Sequence, residues 1–201
     1  MNRVAVFVDD EGFSRSGFDA FGSLPSRGPP PALDPAAVAC ALLAGAGGRR
    51  ALEALRVYCA VPDGRVDEPA FADALRAMER WSAAGAVVVR RPVGAAGCRC
   101  APGQKGLAVA LAIDLVSMAW RDEYDVAIVC SCDQDLEPAV KAVLDQTWKT
   151  VEVAAWRNPA RPRCRLTVPE ERVRCHWLDG VVYDRCVCDR CVCDRCTGAG
   201  R

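Results

Sequence analysis

One stretch constrains this chain more than any other: Asp125-Val126-Ala127-Ile128-Val129-Cys130-Ser131-Cys132-Asp133-Gln134-Asp135. Its unbroken apolar run reads as a strand buried on both faces, the kind found in parallel sheets covered by helices. It ends in two carboxylates and passes into Leu136-Glu137-Pro138-Ala139-Val140, which starts a helix. The first strand ends in the same way, Val4-Ala5-Val6-Phe7-Val8 running into Asp9-Asp10-Glu11. In open α/β sheets, ligands bind outside the carboxyl ends of the strands. If the two strands are parallel neighbours, Asp9, Asp133 and Asp135 converge on one rim. Carboxylates held close raise one another's pKa, and a bound cation relieves the repulsion. Aspartate is also a common helix cap, which accounts for any one of these residues alone. Two acidic strand ends in one sheet point instead to a site.

The rest of the chain repeats the same rhythm. A strand over Arg3 to Asp9 is followed by a Gly-, Ser- and Pro-rich connection from Ser14 to Pro35, long for a βα loop. Asp34 caps an alanine-rich helix that has proline in its first turn. Leu55 to Val61 is a second strand, and Phe71, Leu75, Met78 and Trp81 fall on one face of a helix over Pro69 to Ala83. Ala86 to Val89 is a third strand. Arg90, Arg91, Arg99 and Lys105 follow it and form a candidate RNA- or anion-binding border, or else an ordinary solvated charge run. A helix over Gln104 to Trp120 carries Leu107, Leu111, Leu115 and Met118 on its core face. Asp114, in an otherwise apolar run, calls for a partner or a cation. Thr150 to Trp156 is a fifth strand, and Cys175 to Leu178 a short edge strand whose His176 is given a structural role. Alternating strands and helices with short connections predict an α/β, three-layer Rossmann-like parallel sheet with helices on both faces.

Composition narrows the function classes. Lys+Arg and Asp+Glu both number 26 among 201 residues, so net charge gives no argument for nucleic acid, and any basic surface is local. No apolar run reaches membrane-spanning length, and the chain enters a strand almost at once, leaving no room for a leader. A cytoplasmic protein with no membrane partner is expected. In that compartment its thirteen cysteines are expected as thiols or metal ligands rather than disulfides.

Four blocks, in order, resemble one family. Arg3-Val4-Ala5-Val6-Phe7-Val8-Asp9 is similar to the opening strand of the NYN domain, a branch of the PIN-like nuclease fold. Arg56-Val57-Tyr58-Cys59-Ala60-Val61-Pro62-Asp63 resembles its second strand. Lys105-Gly106-Leu107-Ala108, leading to Ile113-Asp114, resembles its "K-G-V-D, apolar run, D" helix. Ser131-Cys132-Asp133-Gln134-Asp135-Leu136-Glu137-Pro138 resembles its "S-G-D-x-D-F-x-P" motif. The resemblance implies an acidic pocket binding Mg²⁺ or Mn²⁺ and cleavage of RNA phosphodiesters. Hard divalent cations take carboxylate oxygens, and a bound metal activates water without a nucleophilic side chain. By position it implies Asp9, Asp133 and Asp135 as metal-binding and catalytic acids, and Asp114 as the catalytic acid of the helix.

The chain departs from the family pattern at three positions. Gly12 stands where the family has Asn, Ala108 where it has the first helix acid, and Cys132 where it has glycine. Asp114 does not simply replace that acid, because six residues along a helix turn the side chain to another face. Asp10 or Glu11 could compensate from the first strand end. A weakened NYN domain that binds RNA, a protein partner or a second copy of itself is therefore the alternative to a metal-dependent ribonuclease. Response-regulator receivers also open with an acidic pair. They need an acid at the third strand end, where Arg90-Arg91-Pro92 stands here.

Outside the resemblance, Asp184 to Cys196 repeats Cys-Val-Cys-Asp-Arg. C-x-C and C-x-x-C spacings suit zinc, with Cys186, Cys188, Cys191 and Cys193 as candidate ligands, which would make the chain a zinc-dependent interaction protein. A perfect terminal repeat without flanking core reads rather as a disordered, oxidation-prone tail. The division expected is a domain over 1–178 and a Cys-rich tail over 179–201.

Overall fold

The computed structural model describes residues 1–22, 32–92, 106–160 and 164–187. Its core is a six-stranded sheet in the order β3-β2-β1-β4-β5-β6, with every pairing parallel. The strands are β1 (Asn2–Asp9), β2 (Arg50–Val61), β3 (Val87–Pro92), β4 (Val126–Cys130), β5 (Thr150–Trp156) and β6 (Arg174–Leu178). The helices are α1 (Asp10–Phe21), α2 (Pro35–Gly45), α3 (Glu68–Ala83), α4 (Leu107–Trp120), α5 (Glu137–Gln146) and α6 (Gly180–Val187). The doubly wound α/β arrangement expected from the sequence is the one observed. No helix among the described residues is long and apolar enough to cross a membrane.

Two cores sandwich the sheet, as strand alternation requires. On one face Val4, Val6 and Val8 of β1 pack with Ile128 and Cys130 of β4 under residues of α1, α2, α3 and α6. On the other, Ala5 and Phe7 pack with Ala127 and Val129 under α4 and α5, joined by Leu166 and Val168. β4 is buried at all five positions, which is why its sequence shows no alternation. The strand order reverses direction between β1 and β4, the switch point at which such sheets open a crevice.

Two stretches differ from expectation. The connection expected from Ser14 opens instead with helix, since α1 runs to Phe21; positions 23–31 lie outside the described residues. Asp9 caps α1, and Phe13, Gly17 and Phe21 repeat every fourth residue along one face. The indole N–H of Trp156 donates to the Phe13 carbonyl at 2.9 Å, and a Cβ on Gly17 would lie 2.9 Å from that indole nitrogen. Glycine is a poor helix former, but here it lets the helix seat on the tryptophan. The second difference is α6, which begins two residues past the expected boundary at 178. Its Tyr183 and Cys186 are buried in the core beside Phe21 and Trp156, and the Asp34 N–H donates to the Cys186 carbonyl at 2.8 Å. The start of the Cys-rich segment is thus part of the folded unit.

Ion pairs gather at the amino ends of the strands and under the middle of the sheet. Arg50 grips Glu152 with two hydrogen bonds, of 2.7 and 2.8 Å, and His176 Nε2 lies 2.6 Å from the same carboxylate. Arg3 and Lys149 pair with Asp122 and Asp125. Cys59, Cys130, Cys132, Cys164 and Cys175 are free thiols; Cys40 is disulfide-bonded, against the expectation of thiols or metal ligands throughout.

Candidate active site

The carboxyl ends of β1 and β4 place Asp9 and Asp133 around one small pocket, of about 60 Å³, walled by Tyr58, Leu107, Ala108, Leu111 and Leu136. Asp9 shares the β1 face of Ala5 and Phe7, so it looks toward α4. Its Oδ2 accepts the Ser131 hydroxyl at 2.9 Å and its Oδ1 the Gly12 N–H at 3.3 Å. Ser131, fully buried, in turn accepts the Asp133 N–H at 3.1 Å. Asp133 Oδ1 accepts the Asp135 N–H at 3.0 Å, capping the short 3-10 turn Gln134–Leu136. Asp9 and Asp133 are caps, then, and they also share a pocket.

Electrostatics distinguish this edge from the opposite one. Among the described residues neither Asp9 nor Asp133 has a cationic partner within ion-pair distance. Burial raises the Asp9 carboxyl above its ordinary value. The Ser131 and Gly12 hydrogen bonds work against that rise, and the nearby Asp133 carboxylate adds to it. Two carboxylates and a raised pKa are what a hard cation relieves.

The residues present suit one hydrated divalent ion rather than a closed cage. Mg²⁺ is commonly held by one or two carboxylates while keeping waters for a phosphate. Among the described residues no three His, Cys, Asp or Glu side chains converge well enough to hold a metal by themselves. The expected convergence of Asp9, Asp133 and Asp135 is therefore partial. Asp135 lies on the edge of a neighbouring groove of about 960 Å³, along α4, whose apolar wall includes Val109, Ile113 and Trp120.

The other expected site residues are dispersed. Asp114 is absent from the pocket lining. Its Oδ2 accepts Arg56 Nη2 at 2.8 Å, Arg56 Nε at 3.1 Å and the Tyr58 hydroxyl at 2.8 Å. It reaches the site only through Tyr58, which walls the pocket. Asp10 turns to the opposite face of the sheet, where it accepts Ser14 Oγ at 3.1 Å, and Glu11 pairs with Arg15, so neither supplies a further acid. Ala108 does line the pocket, at the position of the family's missing acid. A Cβ at Gly12 would collide with the Asp9 carboxylate, so the family's Asn and this Asp9 orientation are incompatible.

Arg90 and Arg91 belong to opposite faces of the sheet. Val88 packs into the α3 side of the sheet and Val89 into the α4 side, so the arginines that follow alternate in the same way. Arg99 and Lys105 lie outside the described residues, as do Cys188, Cys191 and Cys193. Cys186 is buried in the core, and no described cluster supports the expected zinc site. Sequence reasoning named neither Ser131 nor Tyr58 as site residues. Ser131 was visible as the first letter of the acidic motif; Tyr58 carried no signal beyond its strand.

The comparisons agree with this architecture. The model of the NYN domain family matches residues 3–167. A crystal structure of a protein of unknown function from Vibrio parahaemolyticus, VPA0982, has a similar fold. Its TM-score is 0.57 at 13% identity, over 89% of this chain and 92% of that one. No curated protein matches the chain.

Proposed function

The chain belongs to the NYN domain family, of PIN-like nuclease type, and from that premise we propose that it is a metal-dependent ribonuclease. The observation that carries the reading is the pairing of Asp9 and Asp133 in one pocket at the switch point, with no cation beside them among the described residues. Asp9 and Asp133 would hold Mg²⁺ or Mn²⁺, which supplies an activated water and charge stabilisation at a phosphate. Ser131 holds Asp9 in place and fixes the Asp133 backbone, so both carboxylates are preorganised. Asp135 stands at the groove edge, where it positions water or substrate. Tyr58, locked by Asp114 and Arg56, closes one wall of the pocket.

Ala108 favours a second reading, a weakened nuclease that binds RNA without cutting it efficiently, because it removes a carboxylate from the pocket wall. Cleavage of labelled single-stranded and structured RNA with Mn²⁺, Mg²⁺ or EDTA separates the two. Metal-dependent cleavage that disappears in Asp133→Asn is expected. A folded protein that binds RNA and cuts none of it with either metal overturns the nuclease reading in favour of the second.

A further inference from the structure

A second cavity opens on the same carboxyl edge, two strands away from Asp9. It has a volume of about 700 Å³ and is lined by Val61, Pro62 and Gly64 after β2, by Phe71 of α3, and by Arg90 and Pro92 at the end of β3, with Asp63 and Arg65 on its rim. The strand register fixes its place. Asp9 pairs with Tyr58, and the next β2 residue, Cys59, pairs with Arg90. At the usual strand spacing the backbone of Arg90 lies roughly 10 Å across the rim from that of Asp9, with Arg90 on the α3 face and Asp9 on the α4 face, so a nucleic-acid strand joining the two passes over the carboxyl edge of the sheet.

The chemistry of the lining is specific. Arg65 is committed to Asp63, which accepts its Nε at 3.2 Å, its Nη2 at 3.1 Å and its backbone N–H at 2.9 Å. Arg90 makes no ion pair among the described residues and is exposed, so its guanidinium fork is available to an anion. Beside it Phe71 offers a ring, and Gly64 is what lets the loop approach it: a Cβ there would lie 3.0 Å from the ring carbons. Two prolines complete an apolar slot. A free guanidinium next to an aromatic ring in a cavity of small-molecule size suits a planar base bearing a phosphate.

We propose that this cavity is a nucleotide subsite, with the base against Phe71, Pro62 and Pro92 and the phosphate on Arg90. It deepens the ribonuclease reading and rests on it for its role: it would hold the nucleotide of an RNA strand that flanks the scissile phosphate at Asp9 and Asp133. Stacking tolerates any base, so the subsite fixes register on the strand rather than sequence.

The test is a titration of the full chain with adenosine and uridine 5′-monophosphate in EDTA, followed by amide NMR, with inorganic phosphate as a third probe. Both nucleotides are expected to shift Gly64, Arg65, Phe71 and Arg90 more strongly than phosphate does. Arg90→Ala should weaken binding about tenfold, Arg90→Lys should restore part of it, and Phe71→Leu, which preserves apolar packing, should weaken it several-fold. Three outcomes overturn the subsite: shifts confined to the Asp9 and Asp133 pocket, equal affinity for phosphate and nucleotide, or variants binding within twofold of the parent. No cleavage is needed for this measurement. RNA cleavage by a protein that fails it removes the subsite and keeps the nuclease. Nucleotide binding by a protein that cuts nothing does the reverse.

Discussion

Ala108 is the residue on which the strength of the site turns. It lines the same pocket as Asp9 and Asp133, yet it contributes no oxygen. A carboxylate there would add a donor to a bound metal, and in the metal's absence it would add a third negative charge to a crowded wall. Ala108→Asp is therefore expected to tighten Mn²⁺ binding about tenfold, measured by calorimetry or by the free-ion EPR signal. The same variant should melt at a lower temperature than the parent in EDTA at pH 8. Unchanged Mn²⁺ affinity would show that the pocket does not hold the metal. Asp10, one residue along from Asp9, behaves differently because it faces the other side of the sheet. Burial pushes its carboxyl from the ordinary 3.8 up to about 6, although the Ser14 hydroxyl bond resists. Its protonated form thus favours the fold. The stability this group contributes is complete below its unfolded value and is lost as pH rises through about 6. Asp10→Asn should then stabilise the protein by on the order of 1–2 kcal/mol at pH 8, with the gain gone by about pH 4. Urea melts at the two pH values check the sign.

Asp114 shows what a helix and a strand do to a residue that the sequence marks as anomalous. A carboxylate in an apolar helix demands a partner, and β2 supplies two, Arg56 and Tyr58, both projecting toward α4. Asp114→Ala leaves the guanidinium and the phenol hydroxyl without their acceptor. It should cost about 1–3 kcal/mol in denaturant melts while leaving Mn²⁺ affinity within about twofold. A collapse of metal binding instead would return Asp114 to the site. Burial and demand for a partner were legible in the one-dimensional pattern; which neighbour met the demand depended on strand order. The strand ends at Asp9 and Asp133 were legible for a related reason, since a fully apolar run fixes a central strand, and a central strand fixes where its last residue emerges. Helix α1 was not. Gly12, Ser14, Ser16 and Gly17 lower its intrinsic propensity, and the compensation, Trp156 against Gly17, comes from a strand more than a hundred residues away. α6 was hidden similarly: its buried Tyr183 and Cys186 lie where the cysteine repeat begins, and repetition masked an ordinary core face.

Across the whole molecule the two edges of the sheet have opposite electrostatic character. At the edge where the strands end, Asp9 and Asp133 stand without cations among the described residues. At the edge where they begin, Asp122 and Asp125 are answered by Arg3 and Lys149, and under the middle of the sheet Glu152 is answered by Arg50. The Arg50–Glu152–His176 network reaches from β2 under β1 and β4 to β5 and β6, and Arg174 carries it on to the Ala46 carbonyl after α2. Destabilising acid pairs at one edge is tolerable because the other edge is tied across the sheet. Burial works to raise the Glu152 carboxyl, but hydrogen bonds from Arg50 and His176 outweigh it and hold it at about 2. A depressed carboxyl contributes stability that is complete above its unfolded value of about 4.5 and is lost as pH falls toward 2. Acid unfolding should therefore steepen within that window. Glu152→Gln should flatten the window and cost about 3 kcal/mol at pH 7, because the half-buried Arg50 is left without its counter-charge. Nucleotide and metal binding should persist in this variant at temperatures below its melt, since Glu152 lies on the α2 face of the sheet and the acid pocket on its α4 face. Loss of Mn²⁺ binding by still-folded Glu152→Gln would mean that the two faces are coupled through β1 and β4, and that the division of labour across the sheet is wrong.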